Sequence, residues 1–423
     1  MSPGDLERYA KKVDIQCSEE HSAFVLKKSG WNVGFQRLLV RSFFWCVALF
    51  FASQAFAGEK LLFSGFAFSG DYAHRTELYP YTSQIFAGNK RVLDDAFRSR
   101  LMARPVALEK VSLELGKIGS GTQLSVAFAL NYEDVETQVL DGQYLVILRL
   151  YASILGFDRD SKSLVAAYPV RIKYSTVMNH PPTDAEKLKL FKSLYLERLS
   201  GKDGDSVNAF DEWLERFEKV EIKSKYSKYL RVTNVVVDED AKKVLSEAKK
   251  NERAFKNQLA QALETAISYH NNVPVVPSST GEAIGAKMAY RFSDGNSLDL
   301  KLPDPDYQVG FVVRGFRYKP VQDGNSKQDI YRVLATILID QPDLNKQYLN
   351  EKIYNTNIVV VPAGTTLKID NYATYYKTLI ELVNELSRQF SKPDTSWMKE
   401  HVANGADAES AFEKTNELFK GLK

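Results

Sequence analysis

Apolar and polar positions along this chain follow one cycle of patterns and then repeat it. The first cycle opens at Lys60 to Tyr72 (KLLFSGFAFSGDY), whose alternation has the period of a strand. From Asn89 to Ala103 the apolar positions fall at helical spacing, with Val92, Leu93, Ala96, Phe97 and Leu101 on one stripe and Pro105 as the stop. Three strands follow, at Gln123 to Tyr132, Gln143 to Phe157 and Leu164 to Ser175, separated by a loop holding Asp141-Gly142 and the turn DRDSKS. A helix through Leu188, Phe191, Leu194 and Tyr195 closes the cycle, with Thr183 as its predicted N-cap after Pro181-Pro182.

The second cycle keeps the order. Lys228 to Asp238 is the opening strand, and Asn251 to Tyr269 is a helix with Phe255, Leu259, Ala262, Leu263 and Ile267 on one face. Val273-Pro-Val-Val-Pro adds a short strand. Tyr307 to Tyr318, Ile330 to Asp340 and Lys352 to Val361 supply three more, with Asp323-Gly324 in the first connection, and Tyr372 to Phe390 is the last helix. The expected fold class is α+β: two similar β-α-β-β-β-α domains, each a mainly antiparallel sheet with helices on one face. Unrelated halves sharing a common vocabulary are the alternative to duplication. The domain reading is a leader at residues 1–57, a first domain at 58–200, a bridging linker at 201–227, a second domain at 228–392 and a helical tail at 393–423. The linker holds an amphipathic helix, Ala209 to Val220, with Phe210, Trp213, Leu214 and Phe217 on one side. The tail reads as helix, break, helix around Asn404-Gly405, frayed or partner-binding at its end.

One run departs from both cycles. Arg41 to Ala57 (RSFFWCVALFFASQAFA) has a positive flank, an uncharged apolar stretch and Ala55-Phe56-Ala57 before Gly58, which is the pattern of a cleaved secretory signal. Its apolar core is half the roughly 20 residues that a spanning helix needs. A retained anchor behind a cytoplasmic tail is the competing reading; translation from Val40 would account for the distance between the signal and Met1. Cys46 lies within the apolar run and not at the cleavage point, so no lipid anchor is expected.

Cleavage changes the composition. Both cysteines, Cys17 and Cys46, leave with the leader, so the remaining 366 residues have no disulfide and no thiolate chemistry. They carry 49 basic and 48 acidic side chains, a near-neutral balance with no field to attract nucleic acid or an anionic membrane. Peripheral membrane contact stays compatible with this balance. The Lys-rich stretch Lys219 to Lys228 reads as a solvated face.

Candidate chemistry is sparse. Four histidines remain, His74, His180, His270 and His401, with no shared ligand spacing. His74 with Asp71 and Glu77 reads as a polar loop. Gly116-Lys-Ile-Gly-Ser-Gly lacks the elements of a phosphate loop. Asp203/Asp205, Asp238/Glu239/Asp240 and Asp304/Asp306 all sit in turn-like surroundings. No catalytic, cofactor-binding or metal-ligating residue is assigned, and no cofactor is expected. Tyr and Phe recur along the strands, as at Tyr79-Pro-Tyr81 and Tyr372 to Tyr376; most are expected in the core, and a minority at contact surfaces.

The strand, helix and V-P-V-V order, followed by YQVGFVVRGFRY, IYRVLATILID and a closing helix, resembles the α/β domain of periplasmic envelope proteins. These include the amino-terminal domain of TolB, the curli-secretion lipoproteins and the flagellar outer-ring accessory proteins. The likeness is best over Lys228 to Phe390 and looser over Lys60 to Tyr195. It implies assembly or scaffolding without catalysis, and it transfers no functional residue. The expected function is therefore an exported, periplasmic, non-catalytic protein that binds envelope proteins, self-association among them. A solute- or glycan-binding protein would instead need a deep cleft lined by Trp and Tyr, and a hydrolase would need converging carboxylates or histidines.

Overall fold

A computed structural model describes residues 60–423, apart from 70–74, 114–123, 141, 201–205, 279–286, 293–294, 324–325 and 363–368. The predicted leader lies outside the described residues, as do His74, Asp71, Asp203, Asp205 and the whole of the Gly116 cluster. The described residues form one compact unit.

In chain order the first half runs β1 (Leu61–Ser69), α1 (Arg75–Leu78), α2 (Thr82–Gly88), α3 (Val92–Met102), α4 (Pro105–Glu109), β2 (Val111–Ser112), β3 (Leu124–Leu140), β4 (Gln143–Asp158), β5 (Ser163–Met178) and α5 (Asp184–Leu196). The short pair β6 (Leu199–Ser200) and β7 (Ser206–Val207) leads into α6 (Ala209–Lys219). The second half runs β8 (Leu230–Val237), α7 (Glu239–Glu247), α8 (Glu252–Asn271), β9 (Lys287–Phe292), β10 (Ser297–Lys301), β11 (Tyr307–Asp323), β12 (Ser326–Gln341) and β13 (Lys346–Pro362). It ends with α9 (Asn371–Gln389), α10 (Thr395–His401) and α11 (Gly405–Lys420).

The chain is α+β, and the two halves share a strand order. In the first, β1 runs parallel to β3, and β3, β4 and β5 are antiparallel neighbours. In the second, β8 runs parallel to β11, and β11, β12 and β13 repeat the antiparallel series. Caps mark the helix starts: Thr183, the expected N-cap, forms a capping box with Glu186 on α5, and Asn251, read as the first helical residue, instead caps α8 by accepting from Ala254 N.

Three features differ from expectation. Val273 to Pro277 makes only an isolated bridge, Val276 to Arg231, because Pro274 and Pro277 cannot donate to a ladder. The hairpin β9–β10, unread in the sequence, joins the first sheet: β9 pairs antiparallel with β1 and β10 touches β5 at Ser163, so the sheet closes on itself. The helices of the first half therefore cover only one face of this sheet. The other face is an interior, where Ala67, Ala127, Ala129 and Ala167 leave room for Phe157, Met288, Tyr290 and Phe292. Third, α6 does more than link the halves, because it also covers the first core. Its Phe210, Trp213 and Phe217 enter the first core, with Phe97 stacked 4.8 Å from Phe210 and Trp213 Nε1 donating to Ser153 O at 3.1 Å.

The helix layer meets β1 at a bulge. Gly65 sits at φ +77°, and Asp94 of α3 accepts from Phe66 N at 2.8 Å; a Cβ at Gly65 would collide with that carboxylate.

Helices α8 and α9 are shared between the sheets. One side carries Leu259, Leu263, Ile267, Leu379 and Leu386 into the second core. The other side faces the back of β3 to β5, where Tyr376 meets Tyr151 and Tyr372 stands near Glu136. Burial on nearly all sides of α8 from Leu259 to Ser268 follows from this position. The tail is packed: Phe412 and Phe419 stack against Phe390.

The second sheet has one covered face. From Tyr331 to Asp340, β12 alternates buried residues with residues that are not, the signature of a sheet packed on one side. Among the described residues no helix is long and apolar enough to cross a membrane.

Candidate functional site

β13 is the outermost strand of the second sheet, so its far edge must be satisfied by something other than a ladder. The α10–α11 connection covers part of it. Val402 bridges Ile353, Ala403 N donates to Lys352 O at 2.8 Å, and His401 Nδ1 lies 3.0 Å from Tyr354 O. These contacts show which way the strand faces. Lys352 and Tyr354 turn their main-chain groups outward, so by the two-residue period Thr356, Ile358, Val360 and Pro362 do the same.

Beyond Tyr354 the edge is open among the described residues. Thr356 N donates to Asn355 Oδ1 at 2.9 Å, and Pro362 has no N–H to offer. Between them Ile358 and Val360 present N–H and C=O groups with no described partner. Their side chains, 53% and 57% exposed, stand on the uncovered face of the sheet. Residues 355–362 (NTNIVVVP) carry no charge. Two β-branched residues with exposed side chains, and with main-chain groups unpaired among the described residues, make a pairing surface.

On the same face a trough of about 560 Å³ lies at the level where Arg314 bulges out of β11. Asp238, Glu239 and Asp240 at the start of α7 line one part, Ala403 another, and Leu334, Lys352 and Tyr354 lie between. Arg317 is engaged by Asp240 at 2.9 Å, which holds that carboxyl below its usual range. Arg314 and Lys352 have no carboxylate partner among the described residues.

The other flagged residues are dispersed. His180 is exposed beside Glu186, His270 ends α8, and His401 stacks on Trp397 at 5.1 Å. Burial lowers the pKa of His270, with Arg388 adding to the effect. Asp306 binds Lys228 and Tyr229 N, which ties β8 to the approach to β11, while Asp304 is exposed. Among the described residues no three His, Cys, Asp or Glu side chains form a metal-sized group. Tyr79 is buried against Phe68, and Tyr81 stacks on Phe191 at 4.9 Å. Trp213 lies in the core and Trp397 packs on the tail, so neither lines the trough.

Sequence reasoning missed two buried carboxylates. Glu133 accepts from Tyr81 N, from Thr82 N at 3.1 Å and from Thr82 Oγ1 at 2.5 Å, and so caps α2, whose own N-cap Tyr81 supplies no side-chain bond. Glu264 of α8 accepts from Ser278 N at 2.5 Å. Burial pushes each carboxyl up to about 7 against these hydrogen bonds. The available signal was an acidic residue at a position whose register neighbours face the core.

No family model and no curated protein matches the chain. Among solved structures, a minor lipoprotein from Acinetobacter baumannii matches over 38% of this chain and 87% of its own, at 12% identity and a TM-score of 0.19. An NTF2-like protein involved in plasmid conjugation matches over 58% and 82%, at 10% identity and a TM-score of 0.09. Both likenesses are distant.

Proposed function

We propose that this chain is an exported, non-catalytic binding and scaffolding protein of the cell envelope, and that it takes partners by strand addition along β13. The observation that carries the reading is the edge at Ile358 and Val360, where main chain without a partner among the described residues coincides with exposed β-branched side chains on an uncharged strand. Soluble proteins commonly blunt such edges with charge, bulges or cover. Here the α10–α11 connection covers the strand up to Tyr354 and leaves the four outward-facing residues beyond it, Thr356, Ile358, Val360 and Pro362. Main-chain pairing supplies affinity, and the exposed Ile and Val side chains supply selection. The signal-like run Arg41 to Ala57 and the pattern-level likeness to periplasmic envelope domains support the compartment.

The test is a photo-cross-linking residue placed at Val360 in living cells. A discrete adduct in the envelope fraction, missing when the same probe replaces exposed Met102, is the expected result; equal labelling from both sites would refute it. Mass analysis of the recovered protein should place its first residue at Gly58, and a product retaining residues 1–57 in the cytoplasm would overturn the export reading.

The trough favours a second reading, a small anionic solute held by Arg314 and Lys352. Phosphate or dicarboxylate titration of Arg314→Ala against the parent protein separates the two: solute binding is lost in the variant, and strand pairing is not.

A further inference from the structure

We propose that one occupant of the β13 edge is a second copy of this chain, joined antiparallel about a two-fold axis at Val359; the inference rests on the strand-edge reading above. An edge strand can pair with itself only if its own chemistry tolerates its reverse. Residues 355–362 meet that condition, because they carry no charge and self-pairing places no like charges opposite one another.

The register follows from which residues turn outward. Only Thr356, Ile358, Val360 and Pro362 present main-chain groups to the free edge, so each must oppose another of the four. Placing the axis at Val359 sets Ile358 opposite the second copy's Val360, and the reverse. Each pair then exchanges two N–H···O bonds, which satisfies every open group on those residues. At the ends Thr356 opposes Pro362. That match costs no donor, since Pro362 has none and Thr356 N is already committed to Asn355 Oδ1. Moving the axis to Ile358 opposes Tyr354 to Pro362, bringing the second strand against the carbonyl that His401 already covers. The axis at Val359 lets the α10–α11 connection end the pairing on one side and Pro362 end it on the other. The result is an eight-stranded sheet, antiparallel through β11-β12-β13 and their copies with a parallel β8 at each outer edge, and four exposed β-branched side chains meet on one face.

Self-pairing at this register makes a site-specific prediction. The whole chain has cysteines only at Cys17 and Cys46, so a Cys17→Ser, Cys46→Ser background is thiol-free. In it Val359→Cys opposes its own copy across a non-hydrogen-bonded pair, with Cα atoms about 4.5 Å apart, within disulfide reach. Sedimentation of the full chain should show a concentration-dependent dimer. Mild oxidation should then trap Val359→Cys as a covalent dimer in high yield, and Ile358→Cys or Val360→Cys should trap only weakly. Val360→Pro should sediment as a monomer while keeping the parent's far-ultraviolet circular dichroism.

A monomer at every concentration overturns the proposal, even if the photo-cross-linker at Val360 still captures another envelope protein, in which case strand addition stands with a different occupant. A dimer that survives Val360→Pro, or that is trapped through Ile358→Cys in preference to Val359→Cys, also overturns it.

Discussion

Arg216 Nη2 donates to Ser268 O at 2.7 Å, joining α6 on the first core to the last turn of α8 on the second. The guanidinium is buried between the Tyr168 and Tyr269 rings, 5.9 and 5.4 Å from their centroids. A cation at the C-terminal end of α8 also meets the negative end of its dipole. Arg216→Met should therefore lower unfolding free energy by about 2 kcal/mol, the scale of a lost charged hydrogen bond. Urea unfolding measures it; an unchanged midpoint would remove Arg216 from the joint. Arg216→Lys should recover only part, because an ammonium cannot lie flat between two rings.

Glu133 and Glu264 predict an unusual pH profile. Burial raises both folded-state pKa values to about 7, above the unfolded carboxylate near 4.5. A raised folded pKa means the folded state holds the proton more tightly. The stability it supplies is fully present below pH 4.5 and is lost as pH rises through 7. Thermal midpoints should thus fall between pH 5 and pH 8, with each carboxyl contributing a slope of up to about 1.4 kcal/mol per pH unit. Glu133→Gln mimics the protonated form and should flatten the profile by one proton. A parent midpoint that rises over this range contradicts the prediction.

Arg149 holds the seam where β3 and β4 back onto α9. It pairs with Asp134 at 2.7 Å and with Glu136, and its side chain is 15% exposed. Removing it leaves two carboxylates side by side beneath Tyr372 and Tyr376. Arg149→Ala should destabilise by roughly 3 kcal/mol, the cost of breaking a buried ion pair from one side. Asp134→Asn with Glu136→Gln in the same chain should restore part of the loss. If it does not, repulsion between the carboxylates is not the cause.

At Gly65 the backbone lies in the left-handed region and the space for a side chain is already filled by Asp94. Gly65→Ala should cost about 2 kcal/mol from strain and displacement together. Hydrogen exchange should report faster opening at Phe66, whose N–H loses its acceptor. Protection at Phe66 equal to the parent's would show that Asp94 is not displaced.

Local order was legible where side-chain chemistry is local. Thr183, Asn251 and the stripe Phe210, Trp213, Leu214 and Phe217 announce their helices, because caps and amphipathic faces are encoded within a few residues. The alternation in SVAFAL already separates Phe128, under the helices, from Ala127 and Ala129, in the closed interior. The hairpin β9–β10 was not legible. Its strands are six and five residues long, and β1, one of their neighbours, lies more than two hundred residues earlier in the chain.

The amino-acid order by itself determined the α+β class, the repeated order of strands and helices, and the face of each strand that turns inward, since alternation records side-chain burial directly. Tertiary structure alone decided that the first sheet closes while the second keeps an edge, and that this edge falls on Ile358 and Val360. The reason is physical: side-chain pattern specifies what lies above and below a strand, whereas main-chain groups are the same in every residue but proline. Whether they are paired depends on which strand arrives beside them, and no run of residues within the strand itself carries that information.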